Sequence, residues 1–372
     1  MKLLFDTQIF DWQINGGISR YFMELITRLD VDEDLEVIFN CKHSYNTYIQ
    51  NTKWLKTSPK LTNVDFKGKL GLVKIANQLV NRQFSNRYLI NAKQDLFHPT
   101  YYDPYFLKKI GIKPFVLTVY DLTIENYFDG SALTKKVLAW KKELINKASH
   151  IIAISENTKN DIVSFYNVAP SKITTIYLAG GFDAISRNDM TTISPPVKKN
   201  YLLFVGSRSK YKNFTGFLPE VAPLLNKYDL DLVITGGGQL TQTEIALLKS
   251  LNVHDRTTTF NYISDDRLIQ LYKNAMVFIF PSLYEGFGIP VLEAMQCECP
   301  ALLSNNSSLA EVGQTAAQYF DPLIKGDLKI CLEKLILDET LRGQMKADGL
   351  LQAQKFSWDI TAAKHAEVYL SI

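Results

Sequence analysis

The amino-acid sequence predicts an α/β fold made of two parallel-sheet domains. Three observations point there. Short apolar runs alternate with longer helical patterns along the whole chain. Strands that alternate with helices imply parallel sheets covered on both faces. A polar stretch, 184–200, carries Pro195-Pro196 and no apolar periodicity, so it reads as a linker. At 372 residues the chain is long enough to bury two cores. The expected division is a first domain over 1–183, a second over 201–356, and a capped amphipathic helix over 357–372. The second half restarts with Tyr201-Leu-Leu-Phe-Val, much as the first begins with Lys2-Leu-Leu-Phe. This is a repeated architecture without a sequence repeat.

In the first half the expected strands are Lys2–Asp6, Glu36–Asn40, Asp95–His98, Phe115–Val119, His150–Ile154 and Lys172–Tyr177. Helical patterns fall near 18–29, 70–92, 132–148 and 156–167, and Ser155 suits the N-cap of the last. In the second half the expected strands are Tyr201–Val205, Leu230–Thr235, Thr257–Tyr262, Ala275–Phe280, Ala301–Ser304 and Gln318–Phe320. Helices follow near 213–227, 241–251, 265–274, 289–297, 325–336 and 338–355.

Composition narrows the function classes. Hydrophobic content of 46% and charged content of 21% are those of a globular protein. The N-terminal apolar run is cut short by Asp6, so a signal peptide is not expected, and no apolar run has the length of a membrane span. The four cysteines form no C-x-x-C pair or His/Cys cluster of the zinc-binding kind, and a reducing, cytoplasmic compartment is expected. The net charge of +3 hides an asymmetry: residues 51–94 hold nine basic residues against one acid, Asp65, a net +8. Within that segment Leu72, Ile75, Ala76, Leu79, Val80, Phe84 and Tyr88 recur at helical spacing. The segment is a candidate for peripheral contact with the anionic inner face of the cell membrane. An ordinary surface helix packed on its own core fits the same pattern. Nucleic acid is not an expected partner, because no recognition motif accompanies the charge.

Open parallel sheets bind ligands beyond the carboxyl ends of their strands, so the informative loops are those that follow strands. The most informative is Pro281-Ser-Leu-Tyr-Glu285-Gly-Phe-Gly-Ile-Pro290-Val-Leu-Glu293. Pro290 suits a first helical turn, which places Glu285 on the loop and Glu293 in the helix. The N–H groups of Gly286, Phe287 and Gly288 can face an anion. Two hydroxyl acceptors beside a phosphate cradle fit a sugar nucleotide. After Tyr201–Val205 comes Gly206-Ser-Arg208-Ser-Lys-Tyr-Lys212, where Arg208 and Lys212 are spaced to reach one diphosphate. Gly16-Gly17 opens a helix and lets a phosphate approach its positive end. His98, in Phe97-His98-Pro99-Thr100-Tyr101, is a candidate to line a cleft. No G-x-G-x-x-G follows either first strand and no Gly-Lys-Ser/Thr loop occurs, which argues against nicotinamide dehydrogenases and Walker-type ATPases.

Taken together, these residues resemble a retaining glycosyltransferase of family 4, of the group 1 type, across nearly the whole chain. The resemblance rests on Gly16-Gly17-Ile-Ser-Arg-Tyr, Ser155-Glu-Asn-Thr-Lys-Asn-Asp, Arg208-x3-Lys212-Asn213, the Glu285-Gly-Phe-Gly-x-Pro-x-x-Glu293 element, Ser304-Asn-Asn-Ser-Ser-Leu-Ala-Glu311 and Phe356-Ser-Trp358. It implies the GT-B fold: two Rossmann-like domains facing a cleft, the last helix crossing back to the first. It implies a donor mainly on the second domain. Glu285 and the amides of Gly286–Gly288 would hold the transferred sugar, and Glu293 the ribose. Arg208 and Lys212 would grip the diphosphate, with Gly206, Gly16 and Gly17 near it and Tyr262-Ile263 near the base. The acceptor, a glycan or lipid-linked oligosaccharide, would meet the first domain at His98 and Tyr101. No metal or other cofactor is implied, since the nucleotide diphosphate sugar, GDP- or UDP-type, is a substrate. Mannose is the favoured sugar; rhamnose, galactose, glucose and N-acetylhexosamine stay open, as does a non-catalytic sugar-nucleotide-binding subunit. Two departures stand out. Tyr120-Asp121 takes the place of the usual His-Asp, which suggests a donor without a 6-hydroxyl. Glu298 takes a position that favours a left-handed cap.

Overall fold

The computed structural model describes residues 1–57, 69–91, 93–182, 197, 200–261 and 263–372. The chain separates into two compact units: Met1–Leu178 with Trp358–Ile372, and Ala179–Ser357.

In the first unit the strands are β1 (Lys2–Phe5), β2 (Glu36–Ile38), β3 (Cys41–His43), β4 (Leu55–Thr57), β5 (Leu96–His98), β6 (Val116–Val119), β7 (His150–Ala153) and β8 (Ile173–Thr175). They form parallel runs β2-β1-β5 and β6-β7-β8, joined by one parallel bridge between Phe97 and Phe115. The central strands are buried apolar runs, as sheets covered on both faces require. The helices are α1 (Gln8–Trp12), α2 (Gly17–Leu29), α3 (Lys69–Ile90), α4 (Thr123–Asn126), α5 (Ala132–Lys147) and α6 (Glu156–Tyr166). Ser155 does cap α6, its side chain accepting from the Thr158 amide. The short α1 and the separate parallel pair β3–β4 carry no sequence period long enough to read.

The described side chains of α3 separate the two readings of this helix. Its buried stripe is Asn77, Asn81, Ser85 and Leu89, largely polar, while Leu79 and Ile90 are 61% and 65% exposed. The reason is local. Asn81 Nδ2 donates to Asp11 Oδ1 (2.6 Å) and His43 O (2.8 Å), and its Oδ1 accepts from the amides of Lys42 (2.8 Å) and His43 (3.1 Å). These bonds turn the polar side inward.

The second unit holds β9 (Tyr201–Val205), β10 (Asp231–Thr235), β11 (Thr257–Phe260), β12 (Val277–Phe280), β13 (Ala301–Ser304) and β14 (Gln318–Phe320). All pair in parallel, in the order β11-β10-β9-β12-β13-β14. The chain starts at the middle strand, β9, moves outward to β11, then returns to β12 on β9's other side. The strand order therefore reverses between β9 and β12, the place where doubly wound sheets bind ligands. Around the sheet lie α7 (Phe214–Lys227), α8 (Gln242–Ser250), α9 (Asp265–Asn274), α10 (Ile289–Gln296), α11 (Leu309–Gly313), α12 (Asp327–Leu337) and α13 (Glu339–Ala353). The core includes Leu202, Phe204, Phe217, Val221, Leu232 and Ile279. Phe204 and Phe217 stack with ring centroids 5.6 Å apart. Glu298 has φ +55°, so a left-handed residue does follow α10 although it is not glycine.

The last helix, α14 (Trp358–Leu370), belongs to the first unit and lies on α2. Thr361, His365 and Tyr369, four apart, share one face of it. They join a buried hydrogen-bond chain whose direction is set at one end. His365 Nδ1 is 2.7 Å from the Thr361 carbonyl, so that nitrogen carries the proton. His365 Nε2 must then accept from the Tyr21 hydroxyl (2.6 Å), and Tyr21 in turn accepts from Thr118 Oγ1 (3.0 Å). Thr118 accepts from His98 Nε2 (3.0 Å), which leaves His98 Nδ1 to accept from the Tyr369 hydroxyl (2.7 Å). Both imidazoles are thereby neutral. Burial, with His365 close by, holds His98 well below the usual histidine range, and burial takes His365 down to about 4 against its Thr361 bond.

Candidate active site

The second unit brings several expected residues together at the reversal of strand order. The loop after β9 carries Gly206, Arg208 and Lys212; the loop after β12 carries Glu285 and the Gly286–Gly288 turn. The two loops are tied directly. The Leu283 amide donates to the Tyr211 carbonyl at 2.7 Å. Lys212 Nζ lies 2.6 Å from Glu285 Oε1, with the two side chains 14% and 10% exposed. Lys212 also faces the Phe280 ring at 5.0 Å. The Glu285 turn is braced from β13's loop: its amide donates to Ser307 Oγ (3.0 Å), and Ser308 Oγ lies 3.0 Å from the carbonyls of both Glu285 and Phe287. Gly288 has φ +102°, and a Cβ there would stand 2.9 Å from Leu309 Cδ2. Gly286 to Gly288 are buried, and the Phe287 ring packs on Phe356 at 5.9 Å.

Glu293 sits in α10 and is 8% exposed, one oxygen accepting from the Tyr272 hydroxyl at 3.2 Å. Ile263 is half-buried just before α9, and Tyr262 lies outside the described residues. Three buried polar atoms along the strand ends, Asn261 Oδ1, Ser282 Oγ and Ser304 Oγ, have no partner among the described residues. Buried polar groups are usually paired, so this edge is chemically equipped for a polar ligand.

Arg208 corrects the expectation of two open cations on one loop. Its Nε donates to Glu244 Oε1 (2.8 Å), and its terminal nitrogens donate to the carbonyls of Gly236 (2.7 Å), Gly238 (3.1 Å) and Gln239 (2.7 Å). The side chain is 5% exposed. The fork is spent on holding the turn after β10. Burial pushes Glu244 up, but the Thr241 amide and Arg208 outweigh it and hold the carboxyl below its ordinary value. Gly236, at φ +90°, packs so close that a Cβ would meet the Gly206 carbonyl oxygen at 2.9 Å. No sequence signal announces this clamp, because Glu244 reads as an ordinary capping-box residue of α8.

In the first unit two expectations are corrected. His98 lines no surface: it is 0% exposed and committed to Tyr369 and Thr118. Tyr120 is 6% exposed and its hydroxyl donates to the Thr100 carbonyl at 3.1 Å, so it is a core residue rather than a catalytic donor. Tyr120 therefore gives no indication that the donor lacks a 6-hydroxyl. Asp121 caps α4's entry, accepting from the Thr123 amide at 2.8 Å. Tyr101 packs between Trp12 (5.9 Å) and Tyr102 (4.9 Å), and burial, helped by Asp121, pushes its hydroxyl up to about 12. Gly16 and Gly17 open α2, but the Ser19 amide there is already capped by Gln13 Oε1 at 3.1 Å.

Two family models match the chain. Residues 186–349 match the model described as glycosyl transferases group 1, and residues 15–179 match glycosyltransferase family 4. The chain is 27% identical to O-antigen chain mannosyltransferase B of Escherichia coli, over 99% of each chain. In structure it is similar to WaaG, a glycosyltransferase involved in lipopolysaccharide biosynthesis, with a TM-score of 0.70 and 15% identity, covering 99% of each chain. It is likewise similar to Alr3699/HepE of Anabaena, solved in complex with UDP and glucose, with a TM-score of 0.70 and 17% identity over 100% of each chain.

Proposed function

Since this chain belongs to the group 1, family 4 glycosyltransferases of GT-B fold, we propose that its second unit binds a nucleotide diphosphate sugar at the β9/β12 reversal and transfers the hexose with retention. The observation that carries this is the Lys212–Glu285 pair, which joins the two loops flanking the reversal. An ammonium spends one donor on Glu285 and keeps two for a phosphate. Breaking the anomeric C–O bond puts negative charge on the leaving diphosphate, and a preorganised cation there lowers that barrier. Glu285 fixes Lys212 with one oxygen and offers the other to a sugar hydroxyl. Glu293, whose carboxylate accepts from the Tyr272 hydroxyl, accepts from the ribose. Arg208 acts one step back, as a positioning residue that holds the Gly236–Gln239 turn beside the phosphates.

Attack by an acceptor hydroxyl on the face the diphosphate leaves, with the departing phosphate oxygen taking the proton, gives retention without a protein nucleophile. No step calls for a divalent cation. The name of the E. coli relative favours mannose and an O-antigen chain as acceptor; the donor we propose is GDP-mannose, and the acceptor a glycan or lipid-linked oligosaccharide. The acceptor would use the first unit near Tyr101.

The test is slow donor hydrolysis without acceptor, run with EDTA present. Wild type should release GDP from GDP-mannose, and Lys212→Ala should lower the rate by ~10²–10³. Equal rates in the two proteins would refute the assignment of Lys212, and an EDTA-abolished rate would refute metal independence.

A further inference from the structure

The outward face of α3 joins two features that an ordinary surface helix does not combine. Leu79 and Ile90 are exposed, with Val80 and Phe84 half-buried beside them. Along the same side runs a groove of about 520 Å³ whose lining includes Val80, Phe84, Arg87, Lys42 and Lys56 and no acidic residue. The parallel register of β3 and β4 pairs Cys41 with Leu55 and His43 with Thr57, so Lys42 and Lys56 stand side by side. Like charges directly across a strand pair repel. Neither lysine, nor Arg87, forms an ion pair with a described residue. The Asn81 bonds that bury the polar side of α3 also grip the amide of Lys42, so the same contacts fix the apolar ridge and the cations relative to one another.

We propose that this face docks the protein on an anionic membrane surface, Leu79 and Ile90 entering the headgroup boundary and Lys42, Lys56 and Arg87 meeting lipid phosphates. An apolar ridge flanked by cations is the chemistry of an interfacial helix, and Lys42, Lys56 and Arg87, with no acid in the groove lining, give the partner its sign. The proposal does not rest on the glycosyl-transfer reading.

The experiment is co-sedimentation of the full chain with vesicles of phosphatidylcholine alone and of phosphatidylcholine with one third phosphatidylglycerol, at 0.1 M salt. Binding to the anionic vesicles only is expected. Each surface cation is worth about 1 kcal/mol, so Lys42→Gln/Lys56→Gln/Arg87→Gln should weaken binding roughly a hundredfold. Leu79→Ser/Ile90→Ser should also weaken it while leaving the charge unchanged. Far-UV circular dichroism and thermal unfolding of the variants check that they are folded. Failure of wild type to bind anionic vesicles, equal binding to neutral ones, or unchanged binding by the folded triple variant would each overturn the proposal.

Discussion

The division of labour between Arg208 and Lys212 is the sharpest statement at the residue scale. Both are cations on one loop, yet one is consumed by backbone carbonyls and Glu244 while the other faces Glu285. Their variants should therefore differ in kind. Arg208→Lys should raise the donor KM several-fold, because a point charge cannot replace the fork that holds the Gly236–Gln239 turn, with kcat changed less than tenfold. Lys212→Ala should lower kcat itself. If Arg208→Lys lowered kcat at constant KM, the guanidinium would touch the reacting phosphate after all. The sequence showed both cations and both glutamates, but not who pairs with whom. Lys212 and Glu285 are 73 positions apart, and Arg208 and Glu244 are 36 apart, so only the sheet order joins them. His98 and Tyr120 misled for the same reason, since their partners lie on distant elements.

At the scale of elements, the long buried strands were legible and the short ones were not. Tyr201–Val205 is a continuous apolar run and forms β9 over those same residues. The three-residue β3 and β4 offer no period to detect. The apolar spacing along α3 was visible, but the direction it faces was decided by one asparagine. The helix α14 makes a pH prediction. His365 is neutral and buried with a pKa near 4, below its unfolded value of about 6.5. Between those values the unfolded chain binds the extra proton, so stability is fully present above about pH 6.5 and is lost as pH falls towards 4. The loss from His365 alone is on the order of 3 kcal/mol, and His98 acts in the same direction. Thermal unfolding of wild type should become less favourable to the folded state over that window. In His365→Gln the acid sensitivity should shrink; an identical pH profile would show that His365 does not titrate in this window.

For the molecule as a whole, the two units differ in what they present. The second is a doubly wound sheet with its polar equipment on one edge, and the first carries a basic, apolar-ridged face. Among the described residues no helix is long and apolar enough to cross a membrane. The central claim is that the β9/β12 reversal is the donor site. Its most direct test is ligand-dependent thermal unfolding with GDP, UDP, GDP-mannose and UDP-glucose. A nucleotide at about a hundred times its Kd stabilises the fold by roughly 2.7 kcal/mol, which shifts Tm by several degrees. Wild type should show such a shift with GDP-mannose, and Glu293→Ala a smaller one. Shifts with none of the four ligands, or an undiminished shift in a folded Glu293→Ala, would contradict it.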